Sequence, residues 1–298
     1  MASIGFLGFG EAGSKIATGL RAGGLDGIVA YDIAWQDSEL VRSRADEVGV
    51  ELLKQPGEVA ARADVVISAV VCTEAEVAAD SIADDLGPDH WFLDINSVSP
   101  GTKARIAESL APRGVNYVDV AVMSNVSSDL ARLPLLVAGP RASEVEDLFA
   151  GVELNISAVS DTPGEAARIK MFRSLFVKGL EALSLEAMMA CYPTGVHEQV
   201  LSSLEVTFGK YTFPELVRHL IERHAVHGRR RANELAEVAE SLREVSVEPF
   251  MAEAGFRRMS WDVERGLQEQ FQGGEDPDWS EVLDALERLR SNEAGRAG

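Results

Sequence analysis

The sequence predicts two domains of different class: an α/β domain with a mostly parallel sheet, then an all-helical domain. Three observations predict it. Short apolar runs alternate with helical stretches through the first half. The texture changes at Asp161-Thr162-Pro163-Gly164, after which every segment carries helical spacing. The chain has 298 residues, about two domains' worth.

Taken in order, Ser3 to Leu7 reads as a strand, Ala12 to Ala22 as a helix and Gly27 to Tyr31 as a second strand. Ser38 to Val48 reads as a helix. Asp64 to Val71 is a continuous apolar run, the pattern of a strand buried on both faces. Trp91 to Ile95 and Val115 to Ala121 are two more strands, and Leu133 to Ala138 and Leu154 to Val159 extend the sheet. Asp161 or Thr162 is placed to cap a long helix with Pro163 in its first turn, running to about Tyr192 and stopped by Pro193-Thr194-Gly195. Further helices follow over His197 to Phe208, Pro214 to Ala225 and Arg229 to Val245. Val247 to Gln272 is read as helix with a break near Gly255. The loop Gly273-Gly274-Glu275-Asp276-Pro277 precedes a last helix, in which Trp279, Val282, Leu283, Leu286 and Leu289 form an apolar stripe.

Composition narrows the function classes. With 28 basic and 48 acidic residues the formal charge is −20, which opposes binding to nucleic acid or anionic membranes. No run of 18 apolar residues occurs. The opening residues, interrupted by Gly5, Gly8 and Gly10, read as strand and turn rather than as a signal peptide. Cys72 and Cys191 make neither a disulfide framework nor a metal set and suit a reducing cytoplasm.

The sharpest motif is Gly8-Phe9-Gly10-Glu11-Ala12-Gly13, between a predicted strand and a predicted helix. Asp32 ends the next strand, nineteen residues beyond Gly13. That is the fingerprint of a dinucleotide site in a Rossmann domain. Gly8 permits the tight turn, Gly10 lets the backbone approach the pyrophosphate, and Gly13 permits close helix–strand packing. Asp32 either accepts the ribose hydroxyls or caps the turn that follows it. No Arg or Lys lies between Asp32 and Glu39, which favours NAD over NADP while leaving NADP possible.

Asp94-Ile95-Asn96-Ser97-Val98-Ser99-Pro100 brings polar Asn96 and Ser97 to the end of a buried strand, where ligands sit in such sheets. On the long helix, Lys170 shares a face with Ser174 and is flanked by Arg173, amid apolar Ile169, Met171 and Phe172. Lys170 is either a desolvated proton carrier or a lysine at the rim of the core. His219, His224 and His227 precede Arg229, Arg230 and Arg231. The spacing lets His224 and His227 share one helical face, but a metal site requires a third convergent ligand, so no metal is expected, and the arginines either grip an anionic substrate group or form a solvated basic face.

The segments Gly8 to Gly13, Asp94 to Pro100, Asp119-Val120-Ala121-Val122-Met123-Ser124 and Gly164 to Ser174 occur in the order seen in β-hydroxyacid dehydrogenases. These include the 3-hydroxyisobutyrate and 6-phosphogluconate dehydrogenases. The chain resembles that family over most of its length, and Arg230-Arg231-Ala232-Asn233-Glu234-Leu235 resembles a subgroup with a distinct C-terminal domain. The resemblance implies an NAD(P)-binding Rossmann domain over 1–161, a long interdomain helix, and a helical substrate-binding and dimerisation domain over 162–298. It implies a cleft between the domains and Lys170 as the proton-transfer residue. Asn96, Ser97, Met123, Ser124, Arg173, Ser174, Arg230 and Arg231 are then the expected substrate contacts. Gly8, Phe9, Gly10, Glu11, Ala12, Gly13, Asp32, Val70, Val71 and Asn96 are the expected cofactor contacts. Asn96 and Ser97 stand where the family has Ser-Thr, and Ser174 stands where it has Asn. The expected activity is hydride transfer between a nicotinamide and a small, anionic hydroxyacid-type substrate. An imine reductase or a non-catalytic nucleotide sensor on the same scaffold is the alternative. A homodimer in the cytoplasm is expected.

Overall fold

The computed structural model describes residues 2–149, 151–271 and 277–294. By its internal packing the chain divides into two units, Met1–Leu175 and Phe176–Gly298.

The first unit holds an eight-stranded sheet. Strand β1 (Ile4–Leu7) is buried at every position and leads into helix α1 (Glu11–Ala22). Strand β2 (Val29–Tyr31) is followed by α2 (Glu39–Val48), whose cap Ser38 accepts the Val41 N–H. Two short elements, β3 (Glu51–Leu52) and α3 (Pro56–Ala60), fill a stretch the sequence pattern leaves blank. Strand β4 (Val65–Ser68) and α4 (Ala75–Asp80) come next, then β5 (Trp91–Asp94) and α5 (Pro100–Leu110). Strand β6 (Asn116–Val122), β7 (Pro134–Ala138), the short α6 (Val145–Leu148) and β8 (Asn155–Ser160) complete it.

The strand order is β3-β2-β1-β4-β5-β6-β7-β8. All neighbours are parallel except β6 and β7. A single 3₁₀ turn, Leu130–Arg132, lies in the link between those two strands, too little chain for a crossover helix, so the return is antiparallel. The order reverses between β1 and β4, which opens a crevice at the carboxyl ends of the strands.

Two apolar layers enclose the sheet. One contains Ile4, Phe6, Ile16, Leu20, Val118 and Val137. The other contains Leu7, Val59, Val66, Ile82, Phe92 and Leu110. Strand β4 ends at Ser68 rather than at Val71: Ala69 N still donates to Leu7 O, but the Val70 N–H goes to the Asn96 side chain instead of to a neighbouring strand.

Helix α7 (Glu165–Thr194) runs on into the second unit. It starts after Pro163, not with Pro163 in its first turn. Neither Asp161 nor Thr162 caps it. The carboxylate of Asp119 does, accepting from Gly164 N (3.1 Å) and Ala167 N (2.9 Å). Pro193 lies inside its last turn, and Gly195, at φ 75°, follows its end.

Helix α8 (His197–Phe208) falls where the sequence places it. The two helices expected over 214–245 are one, α9 (Phe213–Glu244), opened by a reciprocal Thr212–Glu215 capping box. Gly228 does not break it. A Cβ there would stand 3.0 Å from Val263 Cγ2, so the glycine serves close packing. Helix α10 (Phe250–Glu264) also runs through Gly255, where a Cβ would meet Leu235 Cδ1 at 3.1 Å, and ends before Gly266 instead. Glu186, on α7, caps α10 through Met251 N (2.7 Å) and Ala252 N (3.0 Å). Residue 272 and the loop residues 273–276 lie outside the described residues. Helix α11 (Trp279–Ala294) packs through Val282, Ala285, Leu286 and Leu289, while Leu283, expected in that stripe, is exposed.

Candidate active site

The glycine turn between β1 and α1 is shaped by close contacts. Gly8 has φ 85°, and a Cβ on it would lie 2.6 Å from Ala69 O. A Cβ on Gly13 would lie 2.7 Å from Gly8 O. Nothing stands within 4 Å of the Cβ position of Gly10, and Gly10 caps α1 with no side-chain hydrogen bond. The turn therefore presents an open backbone and a helix N-terminus, the arrangement that accepts a pyrophosphate.

A cavity of about 260 Å³ lies at this turn, lined by Gly8, Gly10, Asp32, Ile33, Val70 and Val71 among others. The residues fit a dinucleotide: the cavity gathers the ends of β1, β2 and β4 at the point where the strand order reverses. Asp32 holds the loops around it, with Oδ2 accepting from Phe9 N (2.7 Å) and Oδ1 from Ala34 N (2.9 Å). Remaining carboxylate lone pairs are free to accept hydroxyls. The Phe9 side chain is fully buried against Phe6. Glu11 is exposed and paired with Lys15, which holds its carboxyl below the usual range. Ala12 is half-buried.

A second group forms around the end of β5. Lys170 Nζ donates to Ser97 Oγ at 2.7 Å, joining residues 73 apart in sequence. Ser97 is exposed and Lys170 half-buried. Asn96 is buried and braces two strand ends, its Oδ1 accepting from Val70 N (2.7 Å) and its Nδ2 donating to Ser68 Oγ (2.9 Å). Met123 packs against Ala121, Ala138 and Ala166, with its N–H on Pro134 O. Ser124 is exposed and donates to Asn125 O. Arg173 is exposed and Ser174 half-buried on α7.

Beneath these residues lies a network that sequence reasoning missed. Lys103 is fully buried, its Nζ 2.6 Å from Asp94 O, 3.0 Å from Asp94 Oδ1 and 3.4 Å from Asp119 Oδ1. Tyr117 Oη donates to Asp94 Oδ2 at 3.0 Å. Burial, with Asp94 beside it, pushes the Tyr117 hydroxyl well up. Burial likewise raises the Asp119 carboxyl, against the pull of Lys103. The signal available was Lys103 itself, a charge on the apolar face of an amphipathic helix.

In the second unit, Arg230 is exposed and paired with Glu234, and Arg231 is half-buried. His224 Nε2 lies 2.8 Å from Asp262 Oδ2, and His219 stacks on Tyr211. Among the described residues, no three His, Cys, Asp or Glu side chains cluster as metal ligands would.

Residues 3–150 match the NAD binding domain of 6-phosphogluconate dehydrogenase, and residues 193–261 match a domain of unknown function, DUF1932. A conserved hypothetical protein from Sinorhizobium meliloti is 34% identical, with 97% of each chain covered and a TM-score of 0.59. A conserved protein of unknown function, whose structure was found similar to 3-hydroxyacid dehydrogenases, is 32% identical. It covers 89% of this chain and 99% of its own, with a TM-score of 0.58. The 3-sulfolactaldehyde reductase of Escherichia coli is 26% identical over 225 residues, 71% of this chain and 73% of the reductase.

The chain belongs to the β-hydroxyacid dehydrogenase family. It is an NAD(P)-dependent oxidoreductase of the 3-hydroxyacid dehydrogenase type.

Proposed function

We propose that the protein interconverts a small, anionic hydroxyacid-type substrate and its carbonyl form, with Lys170 as the proton-transfer residue. The observation that carries this reading is the 2.7 Å bond from Lys170 Nζ to Ser97 Oγ. It holds an ammonium ready to give a proton to a carbonyl oxygen, or as an amine to take one from a hydroxyl. The bound nicotinamide supplies or accepts the hydride. Ser97 Oγ holds the Nζ in place and is a hydroxyl able to exchange this partner for a substrate oxygen. Ser124 and Ser174 orient the substrate, and exposed Arg173 on the same helix faces its anionic group. Asn96 keeps the loop bearing Ser97 tied to the end of β4.

Asp32 and Ile33, with no cation beside them before Glu39, favour NAD over NADP, because a 2′-phosphate would meet a like charge. The reading also includes a homodimer. Phe176, Leu180, Leu183, Met189 and Tyr192 on α7, with Leu201, Leu204 and Phe208 on α8, are exposed. An apolar surface of that extent is what a second copy covers. A functional division near residue 161 and a cytoplasmic location complete the proposal. The free thiols of Cys72 and Cys191 support the location, and no helix among the described residues is long and apolar enough to cross a membrane.

The experiment is a turnover panel, with NAD⁺ and NADP⁺ against the hydroxyacids and NADH and NADPH against the aldehyde and the imine. It includes 3-hydroxyisobutyrate, 6-phosphogluconate, 3-sulfolactaldehyde and a cyclic imine, alongside fluorescence titration of both cofactors. Turnover on a hydroxyacid or its aldehyde with tighter NADH binding is expected. Turnover on the imine alone, or tighter NADPH binding, overturns the corresponding part.

A further inference from the structure

A fully buried lysine between two buried aspartates is costly, since each ion gives up several kcal/mol of hydration. Apolar residues of the same volume would fill the space under the sheet ends equally well. They would not fix direction, because apolar packing is non-directional. The network's geometry shows what direction it fixes.

One arm runs to Ser97. Lys103 Nζ binds the Asp94 carbonyl and Oδ1, and the same Oδ1 accepts from Asn96 N at 2.9 Å. The next residue is Ser97. The other arm runs to Lys170. Asp119 faces Lys103 with Oδ1, and with Oδ2 it accepts from Gly164 and Ala167, the first turn of α7. Lys170 lies one turn further on the same helix. Gly164 closes the arrangement: its φ is 98°, and a Cβ there would stand 2.7 Å from Pro100 O, so the start of α7 sits directly against the start of α5. The loop bearing Ser97 and the helix bearing Lys170 are thus both tied to one ammonium.

We infer that Lys103 and Asp119 are positioning residues, which aim Lys170 at Ser97 by fixing the first turn of α7 against the end of β5. The inference rests on the reading of Lys170 given above for its catalytic consequence, but not for the positioning itself. Neither residue touches substrate or cofactor. Their effect passes through the Lys170–Ser97 bond.

The test uses the full chain and needs no substrate. Lys170 is modified with trinitrobenzenesulfonate across a pH series, and its labelling rate is read by peptide mass spectrometry. Exposed Lys178, further along α7, is the internal control. Asp119→Ala is expected to speed Lys170 labelling about fivefold, the factor that one lost hydrogen bond gives, and to leave Lys178 unchanged. Lys103→Gln is the second variant should the first fail to fold, with NADH binding as the check on folding, and the same change is expected. On the substrate that the panel yields, each variant should lower kcat more than it raises KM. A folded variant with wild-type labelling of Lys170 overturns the inference, as does a variant with kcat intact on a substrate whose turnover Lys170→Met has lost. Lys170→Met at wild-type turnover would instead overturn the catalytic reading, and the labelling result would stand by itself.

Discussion

Strands β1, β4 and β5 are buried at every position, whereas α8 has no buried residue along its twelve. The contrast extends to α7. Its first residues include buried Ala166 and Ala167, but from Phe172 onward Leu175, Phe176, Leu180, Leu183 and Tyr192 are exposed. The first unit spends its apolar residues on its own core. The second puts many of the same residue types on its surface. Sealed strands suit a scaffold that must hold a cofactor turn rigidly. Open helices suit a surface that is completed by another protein.

The two units also share a device, a buried carboxylate that caps a helix from elsewhere in the chain. Asp119 does this for α7 and Glu186 for α10. In the first unit the capping carboxylate has a buried cation beside it, so its loss should cost most.

The largest expected effect is therefore Lys103→Met. It leaves Asp94 and Asp119 buried together without their cation, a loss of about 3–5 kcal/mol. Burial already holds the Asp119 carboxyl above its ordinary range, and removing Lys103 raises it further. The folded state then binds more protons than the unfolded one, so the variant's stability falls as pH rises through that raised range. Thermal melts from acid to neutral pH check both the size and the sign.

Next comes the open surface. If the proposed homodimer covers α8, Leu204→Asp weakens its association by about 2 kcal/mol, roughly thirtyfold, without lowering the melting temperature of the first unit. Sedimentation across a concentration series checks it. An unchanged association constant would show that α8 is not the covered face. Glu186→Ala should cost about 1–2 kcal/mol, as loss of a helix cap does, and show as early exchange of the first α10 amides.

The smallest effect is at the edge of the sealed unit. Asp64 accepts from Ser3 N (2.9 Å) and Ser3 Oγ (2.8 Å), and these bonds hold its carboxyl below the ordinary range. Asp64 is exposed, so solvent screening keeps the contribution of Asp64 below about 1 kcal/mol. It is present above the ordinary carboxylate pKa and lost as pH falls through the lowered one. Asp64→Asn and wild type should therefore differ at pH 7 and converge at low pH in denaturant titrations.

Much of this was legible in the sequence where local chemistry decides. The glycine turn announces itself because Gly8, Gly10 and Gly13 serve three separate steric needs. The alternation of apolar runs places seven of the eight strands. Only β3, two residues long, has no pattern to read. Other features depend on contacts between distant residues. Val70 and Val71 read as strand because an apolar run looks the same whether it enters a core or lines a cavity. Gly255 reads as a break because a glycine that admits a neighbouring helix cannot be told from one that ends its own. The sequence places the cap of α7 at Asp161 or Thr162, next to it in the chain, but Asp119 reaches it from β6. At the candidate site, Lys170 stood out as a charge in an apolar stretch. Its contact with Ser97 and the Lys103 network under both depend on the order of the strands.

The central claim, that Lys170 carries the proton in an NAD(P)-dependent hydride transfer, is tested most directly by Lys170→Met. The measurement is pre-steady-state absorbance of the reduced nicotinamide at saturating cofactor and substrate. The account predicts a fall of about 10²–10⁴-fold in the rate of the chemical step. It predicts cofactor affinity within twofold of wild type, since the methionine keeps the length and packing of the side chain. A Lys170→Met protein that transfers hydride at the wild-type rate would contradict it.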